Sequence, residues 1–244
     1  MSQEARKRRW IELVEKHELA PEVRSLVFRQ VEGEAMVYQA GQWINLYLPQ
    51  EGEGLVRSYS LTEAPGSRST FEIAVSRVAE GQASPRLCAL EPGNRIEMDG
   101  PWGIFTRRGC SNERPQVYIG TGTGLSPLRA MLQEECLAAE GPPVLLLFGC
   151  RRECDILWRR ELEDLAQRLP RFRYVVTLSQ SAENWSGRRG YVQEHLPGLL
   201  AAYPATQAPQ FYICGLSAMV EAVRHVLKED LGVDRKSIRT ERYD

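Results

Sequence analysis

Residues 119–128 read Ile119-Gly120-Thr121-Gly122-Thr123-Gly124-Leu125-Ser126-Pro127-Leu128. Three glycines alternating with two threonines leave the main chain bare, and a helical apolar pattern follows. Free N–H groups at a helix start, with no Cβ in the way, attract an anion. Ser126 is of the N-capping type, and Pro127 suits the first helical turn, where no N–H is required. In open α/β sheets ligands gather at the carboxyl ends of strands, so these residues point to a nucleotide phosphate. A tight structural turn is the competing reading. The dinucleotide fingerprint GxGxxG needs a glycine where this chain has Leu125, and the Walker lysine is absent.

A second stretch with chemical potential is Arg57-Ser58-Tyr59-Ser60-Leu61. Arg57 could pair with a pyrophosphate and Tyr59 could stack on a flat ring. Alone, the stretch reads better as a barrel strand with a surface arginine. The six cysteines, at 88, 110, 136, 150, 154 and 214, form no CxxC pair and match neither zinc nor iron–sulfur spacing. They read as free, mostly buried thiols. No metal is expected, so redox chemistry would need a bound organic cofactor.

These residues must be positioned by two kinds of element. Up to about residue 110 the pattern is strand-like: Ile44, Leu46 and Leu48 alternate with Trp43, Asn45 and Tyr47, and Phe71, Ile73 and Val75 repeat the alternation. Glycine and proline punctuate it at Gly41, Pro49, Pro65-Gly66 and Pro92-Gly93. This predicts an antiparallel β-barrel, with one short helix over Ser84 to Leu90. After Pro115 the strands become unbroken apolar runs at 117–119, 144–148, 174–178 and 211–214, as in strands buried on both faces. Helical patterns at 128–139, 156–169 and 219–231 separate them. Alternating β and α predicts a parallel sheet with crossover helices. The expected organisation is a barrel domain over 1–112 and an α/β nucleotide-binding domain over 113–244, linked by the polar stretch 107–115.

The 244 residues carry a formal net charge of -1, which gives no bulk attraction to nucleic acid or to an acidic membrane. The one basic run, Arg6-Lys7-Arg8-Arg9, reads as a solvated terminus or, alternatively, as a docking patch for an acidic partner. No apolar stretch approaches the ~20 residues that span a bilayer. The first ten residues hold no apolar core for a signal peptide, so a cytoplasmic location is expected.

Six motifs in order along the chain resemble the plant-type ferredoxin–NADP(H) reductase superfamily. Arg57–Leu61 is similar to its RxYS flavin motif, and Gly81-Gln82-Ala83-Ser84 to its pyrophosphate-binding turn. Gly100-Pro101-Trp102-Gly103 is similar to its GPxG, and Gly120–Pro127 to its nicotinamide-nucleotide loop. Cys214–Met219 resembles CGLxxM, and Glu241-Arg242-Tyr243 the closing Glu-x-aromatic. The resemblance implies FAD held in the barrel by Arg57, Ser58, Tyr59, Ser60, Ala74, Val75 and residues 81–84, with Tyr59 packed on the isoalloxazine. It implies NADP(H) held by Thr121, Gly122, Thr123, Pro127, Gly215, Leu216 and Met219. Ser60, Cys214 and Glu241 would form the catalytic cluster: a hydrogen bond to the flavin edge, a polarizable surface for nicotinamide, and a carboxylate for positioning and proton relay. Tyr243 would shield the flavin and move aside as a gate, although Asp244 follows it here. Two flat rings would then meet, Tyr59 beside one and Cys214 beside the other.

Gly149-Cys150-Arg151-Arg152 ends the second nucleotide-domain strand, and arginine there suits a 2′-phosphate. Arg151 is the strand-end candidate, and by resemblance Ser179, Arg188, Arg189 and Tyr191 grip the phosphorylated adenosine, with Tyr191 on the adenine; the competing reading of Tyr191 is a tyrosine that starts a helix and packs on its neighbours. Gln180 stands where the family often has arginine. Losing a charged hydrogen bond of roughly 1.5–3 kcal/mol lowers selectivity ~10- to 100-fold. NADPH is expected, with reduced discrimination, and Arg189→Ala should raise KM for NADPH alone. The implied electron partner is a separate ferredoxin or flavodoxin, although Gly54-Leu55-Val56 stands where relatives carry lysines. The alternatives are an oxygenase reductase serving an iron–sulfur component, an NAD(P)H:flavin reductase, or a nucleotide-sensing electron-relay subunit without turnover.

Overall fold

The computed structural model describes residues 7–49, 54–66, 69–109, 113–137, 139–203 and 208–243; Arg6, Cys110 and Asp244 lie outside these ranges. The chain forms two compact units, Met1–Arg107 with Arg129–Glu134, and Arg108–Leu128 with Glu135–Asp244.

The alternating sequence of the first unit folds as strands β1 (Arg9–Ala20), β2 (Val23–Gln30), β3 (Trp43–Leu48), β4 (Leu55–Ser60), β5 (Thr70–Ser76) and β6 (Arg95–Trp102). Their order is β4-β3-β6-β1-β2-β5, and every pairing is antiparallel. Just past β4, Leu61 bridges Ile73 of β5, so the two edges meet and the sheet closes into a barrel. Closure removes the unpaired edges that an open sheet would expose. Side chains alternate across a strand, and β3 follows this strictly, burying Ile44, Leu46 and Leu48. They join Phe28, Phe71, Ile73 and Met98 in one core. Helix α1 (Ser84–Cys88) adds Leu87 to that core and stops before Leu90.

Arg8 and Arg9 do not belong to a loose tail. The Arg8 guanidinium lies 3.9 Å over the Tyr47 ring and 3.4 Å from Glu97. Arg9 opens β1 and donates to Gln30 Oε1 at 3.0 Å.

In the second unit the apolar runs become strands β7 (Gln116–Thr121), β8 (Val144–Cys150), β9 (Phe172–Leu178), β10 (Arg188–Arg189), β11 (Gln210–Gly215) and β12 (Ile238–Arg242). All pair in parallel, in the order β10-β9-β8-β7-β11-β12. Helices α2 (Leu125–Glu135), α3 (Arg159–Arg168), α4 (Leu196–Leu200) and α5 (Ser217–His225) alternate with them. The strand order reverses between β7 and β11, and the carboxyl ends of those two strands form the switch point where such sheets bind ligands.

Helix boundaries depart from the sequence expectation, and two of the starts do so for visible reasons. Helix α2 begins at Leu125, preceded by a 3-10 turn over Gly122–Gly124, so the glycines are wound into the helix start. Thr121 is the residue before that turn, and Ser126 lies inside the helix instead of capping it. Helix α3 starts at Arg159 because Trp158 takes a left-handed conformation (φ 47°), which breaks the pattern expected from Ile156. Five of the cysteines are described, none of them in a disulfide; of these only Cys214 is buried, and Cys154 is exposed, so the described thiols are not mostly interior.

Candidate functional site

In the first unit, β4 carries Arg57 and Tyr59 on one face, two residues apart. Arg57 is exposed, and its guanidinium donates only to the Val56 carbonyl at 2.8 Å among the described residues. It therefore presents a cation with no carboxylate against it. Tyr59 is half-buried against the barrel core. Burial, and secondly the Cys88 thiol, push its phenol up to about 12, while the Arg57 charge pulls the other way. Cys88 of α1 packs against the same core. On the opposite face, the exposed Ser58 donates to Asn45 Oδ1 at 2.9 Å, and Ser60 is buried. Asn45 passes the bonding on to Asp99 at 2.8 Å, which also holds Tyr47 at 2.6 Å and Trp102 at 2.7 Å.

The turn before α1 is tightly drawn. Gly81 N–H donates to the Val78 carbonyl at 2.9 Å, and Val78 N–H donates to Ser84 Oγ at 3.0 Å. Ser84 is buried, and among the described residues its hydroxyl only accepts, so its own hydrogen remains to be donated. Ala83 is buried and Gln82 exposed. Ala74 and Val75 are buried on β5, paired with Ser25 and Arg24 of β2. A free guanidinium, a spare hydroxyl hydrogen and a half-buried aromatic are the donor set that an FAD pyrophosphate and ring require, so the barrel's residues fit that group.

In the second unit, expected residues from the end of β7, the glycine turn, the end of β11, α5 and β12 meet at the switch point. A Cβ on Gly124 would lie 2.4 Å from the Cys214 carbonyl oxygen, so the glycine turn and β11 touch main chain to main chain. At Gly122 (φ +52°) a Cβ would meet nothing within 4 Å, which leaves open space over the bare turn. Thr121 Oγ1 and Met219 Cε both lie 2.5 Å from where a Cβ on Gly215 would stand. Glu241 pairs in register with Cys214, and Tyr243 N–H donates to the Gly215 carbonyl at 2.9 Å. Burial raises the Cys214 thiol well above its ordinary range, and the Glu241 charge adds to this; a hydrogen bond from the Tyr243 side chain acts in the opposite sense. Thr123 is half-buried, Pro127 buried and Leu216 exposed. Ser126 Oγ is buried and has no hydrogen-bond partner among the described residues. An open, side-chain-free turn at the start of a helix fits a nucleotide phosphate.

A separate group sits beyond β8 and β9. Arg151 is exposed and its guanidinium makes no hydrogen bond or ion pair among the described residues. Its carbonyl accepts from Gln180 N–H at 2.8 Å, and Ser179 N–H donates to the Cys150 carbonyl at 3.0 Å. Arg152, by contrast, is held by Asp155, which also raises its affinity for a proton. Tyr191 is 62% exposed, as a stacking surface must be. The two strand arginines differ. Arg189 donates to Ser181 Oγ at 2.5 Å and to the Glu183 and Trp185 carbonyls at 2.8 Å each, so it is committed to its own loop. Among the described residues the Arg188 guanidinium makes one contact, a long one of 3.4 Å, to His195 Nδ1. His195 and its partner Thr177 escape sequence reading because only the turn over Val192–His195 folds the ring back onto β9 and β10.

Two family models match the chain: an oxidoreductase FAD-binding domain over residues 10–106, and an oxidoreductase NAD-binding domain over residues 118–225. The chain is 45% identical over 235 residues to a ferredoxin–NADP reductase B from Sorangium cellulosum, covering 95% of this chain and 96% of that one. It is 31% identical over 195 residues to an anthranilate 1,2-dioxygenase electron transfer component from Acinetobacter baylyi, covering 80% of this chain and 55% of that relative. Among solved structures, a cytochrome P450 reductase from Amycolatopsis superposes with a TM-score of 0.84 at 27% identity, over 97% of this chain and 69% of that one.

Proposed function

Because the chain belongs to the ferredoxin–NADP reductase family of FAD- and NAD(P)-dependent electron-transfer oxidoreductases, we propose that it passes reducing equivalents from NADPH to a separate ferredoxin or flavodoxin. The chemistry supplied by bound FAD is acceptance of a hydride and release of its two electrons singly.

The protein's part is to bind and align. Arg57 neutralises the flavin pyrophosphate, and Ser84 donates its spare hydroxyl hydrogen to it. Tyr59 supplies the ring-packing surface, with Ser58, Ala74, Val75, Gly81, Gln82 and Ala83 shaping the cleft. Ser60 donates to the flavin edge. Thr121, Gly122, Thr123, Pro127, Gly215, Leu216 and Met219 cradle the nicotinamide nucleotide. Cys214, kept as a neutral thiol, gives the nicotinamide a polarizable apolar wall. Glu241 holds or moves a proton at its carboxylate oxygens, and Tyr243 moves aside to admit the ring. Arg151, Ser179 and Arg188 receive the 2′-phosphate, Tyr191 stacks on adenine, and Arg189 fixes the loop that presents them. The observation that carries the reading is the register pairing of Cys214 with Glu241, with Tyr243 bonded to the same strand end beside the glycine turn.

The resemblance to the anthranilate dioxygenase component supports a second reading, electron supply to an oxygenase iron–sulfur partner. The purified protein is expected to carry FAD absorbance that NADPH bleaches without air. Adding ferredoxin or flavodoxin should then restore turnover. A protein that NADPH leaves unbleached sinks the proposal; bleaching without turnover on either carrier favours the oxygenase partner.

A further inference from the structure

His195 ends the turn Val192–His195, and its ring can be assigned a tautomer from the hydrogen bonds alone. Nε2 lies 2.8 Å from Thr177 Oγ1, and the same Oγ1 lies 2.9 Å from the Gly190 carbonyl. A carbonyl only accepts and a hydroxyl has one hydrogen, so Thr177 donates to Gly190. Nε2 must then donate to Thr177, which leaves the lone pair of the neutral ring on Nδ1. That lone pair faces Arg188 Nη1 at 3.4 Å, and a guanidinium only donates. A second ring proton would set N–H against N–H and cation against cation.

We propose that His195 is a specificity-determining residue that couples one proton to the 2′-phosphate: when the phosphate engages Arg188, Nδ1 takes up a proton, and an unphosphorylated nucleotide produces no such uptake. This rests on the assignment of Arg188 as a phosphate contact. It goes further by naming a residue that grips no ligand in the resting geometry and yet registers which dinucleotide is bound. The surrounding groups agree. Burial first, and the Arg188 charge second, hold His195 below the ordinary imidazole range; the Glu194 carboxylate on the same turn and the Arg189 main-chain carbonyl oppose them. Thr177, from β9, is neutral. A dianion on Arg188 cancels the second of the two depressing causes and raises the ring's affinity for a proton.

Linkage fixes the sign. If the phosphate raises the His195 midpoint, protonation must tighten phosphate binding by the same factor. The gain is absent well above the loaded midpoint, grows as pH falls through it, and is complete below the free midpoint. The phosphate's own second proton, with a pKa of about 6, works the opposite way. Comparison with a His195→Gln variant removes that common effect.

The chain has three histidines, and His195→Gln identifies the ring signal of His195 in NMR spectra of the holoprotein. That signal is followed through a pH titration of the protein alone, with saturating adenosine 2′-monophosphate, and with adenosine 5′-monophosphate. The 2′-isomer is expected to raise the His195 midpoint by about one pH unit, a roughly tenfold coupling, and the 5′-isomer to leave it in place. Tighter binding of the 2′-isomer with an unmoved midpoint overturns the proposal and leaves the phosphate assignment standing. Equal binding of the two isomers overturns the phosphate assignment, and the proposal falls with it. The titration is read on the native chain, and if His195→Gln fails to fold, His17→Gln and His225→Gln at the two exposed histidines assign the remaining ring signal to His195.

Discussion

Gly124 and Cys214 meet backbone to backbone: a side chain on the glycine would collide with the Cys214 carbonyl oxygen at 2.4 Å and with Gly215 Cα at 2.8 Å. Neither obstacle is a flexible side chain that could swing away. Gly124→Ala should therefore push the turn off β11 and cost about 1–3 kcal/mol, the usual range for overpacking. The thermal midpoint should fall by roughly 2–4 °C for each of those kcal/mol, and KM for NADPH should rise with it. An unchanged midpoint would mean that the turn yields freely.

Arg188 and Arg189 are adjacent in sequence but differ in their bonding, and their variants should separate. Arg189 ties Ser181, Glu183 and Trp185 into one loop. Arg189→Ala should loosen the whole loop and raise KM for NADH and NADPH alike, contrary to the selective loss expected from sequence. Arg188→Ala removes a cation whose one contact is long, and should raise KM for NADPH by ~10- to 100-fold while sparing NADH. Steady-state kinetics with both nucleotides decide it; a selective loss at Arg189 would reverse the assignment.

Much of this architecture was legible because period carries it. Alternation in Trp43–Leu48 predicted strand β3, and the unbroken run Val144–Phe148 predicted a doubly covered strand, as the barrel and the parallel sheet bear out. The comparisons bear out the family resemblance, which rests on motifs that sit at strand ends, where backbone geometry constrains residue type. Helix starts were less legible. Ser126 has the right chemistry for a cap, yet Gly124 packs so closely on β11 that the helix winds up two residues earlier. The Arg188–His195 contact was invisible because it depends on a turn that reverses the chain, and spacing does not encode that turn. The distinct bonding of Arg188 and Arg189 was equally hidden, since two neighbours on a strand point to opposite faces.

Cys214 and Cys154 should differ sharply in reactivity. The thiolate is the reactive form, and burial with the nearby Glu241 charge keeps Cys214 protonated. Cys154 is exposed. Iodoacetamide at pH 7.5 followed by peptide mass mapping should label Cys154 in the folded protein and reach Cys214 only after denaturation. Rapid native labelling of Cys214 would show that its strand end is open.

Two barrel tyrosines set an alkaline limit. Tyr38 and Tyr59 are each pushed up to about 12, chiefly by burial, from an ordinary value of 10.0. Raised folded values stabilise fully below pH 10, and that contribution is lost as pH climbs through the folded midpoints near 12. Urea unfolding monitored between pH 9 and 12 should show stability falling over that window, and less steeply in a Tyr38→Phe, Tyr59→Phe double variant. Identical slopes would place both phenols in solvent.

Glu72 and Arg129 form a buried ion pair in the first unit, 2.8 Å apart with each side chain 8% exposed. Ser25 and Thr62 also donate to the carboxylate, Thr62 at 2.6 Å, and Arg129 reaches the Thr62 carbonyl at 3.0 Å. Removing one partner leaves the other charge stranded in low dielectric. Glu72→Gln should accordingly cost about 3–5 kcal/mol, whereas replacing both partners with leucine can approach neutrality because neither charge is then left desolvated. Equilibrium urea unfolding of the single and double variants gives the coupling directly. If the double variant loses as much as the sum of the singles, the pair contributes through separate contacts and the ionic account fails.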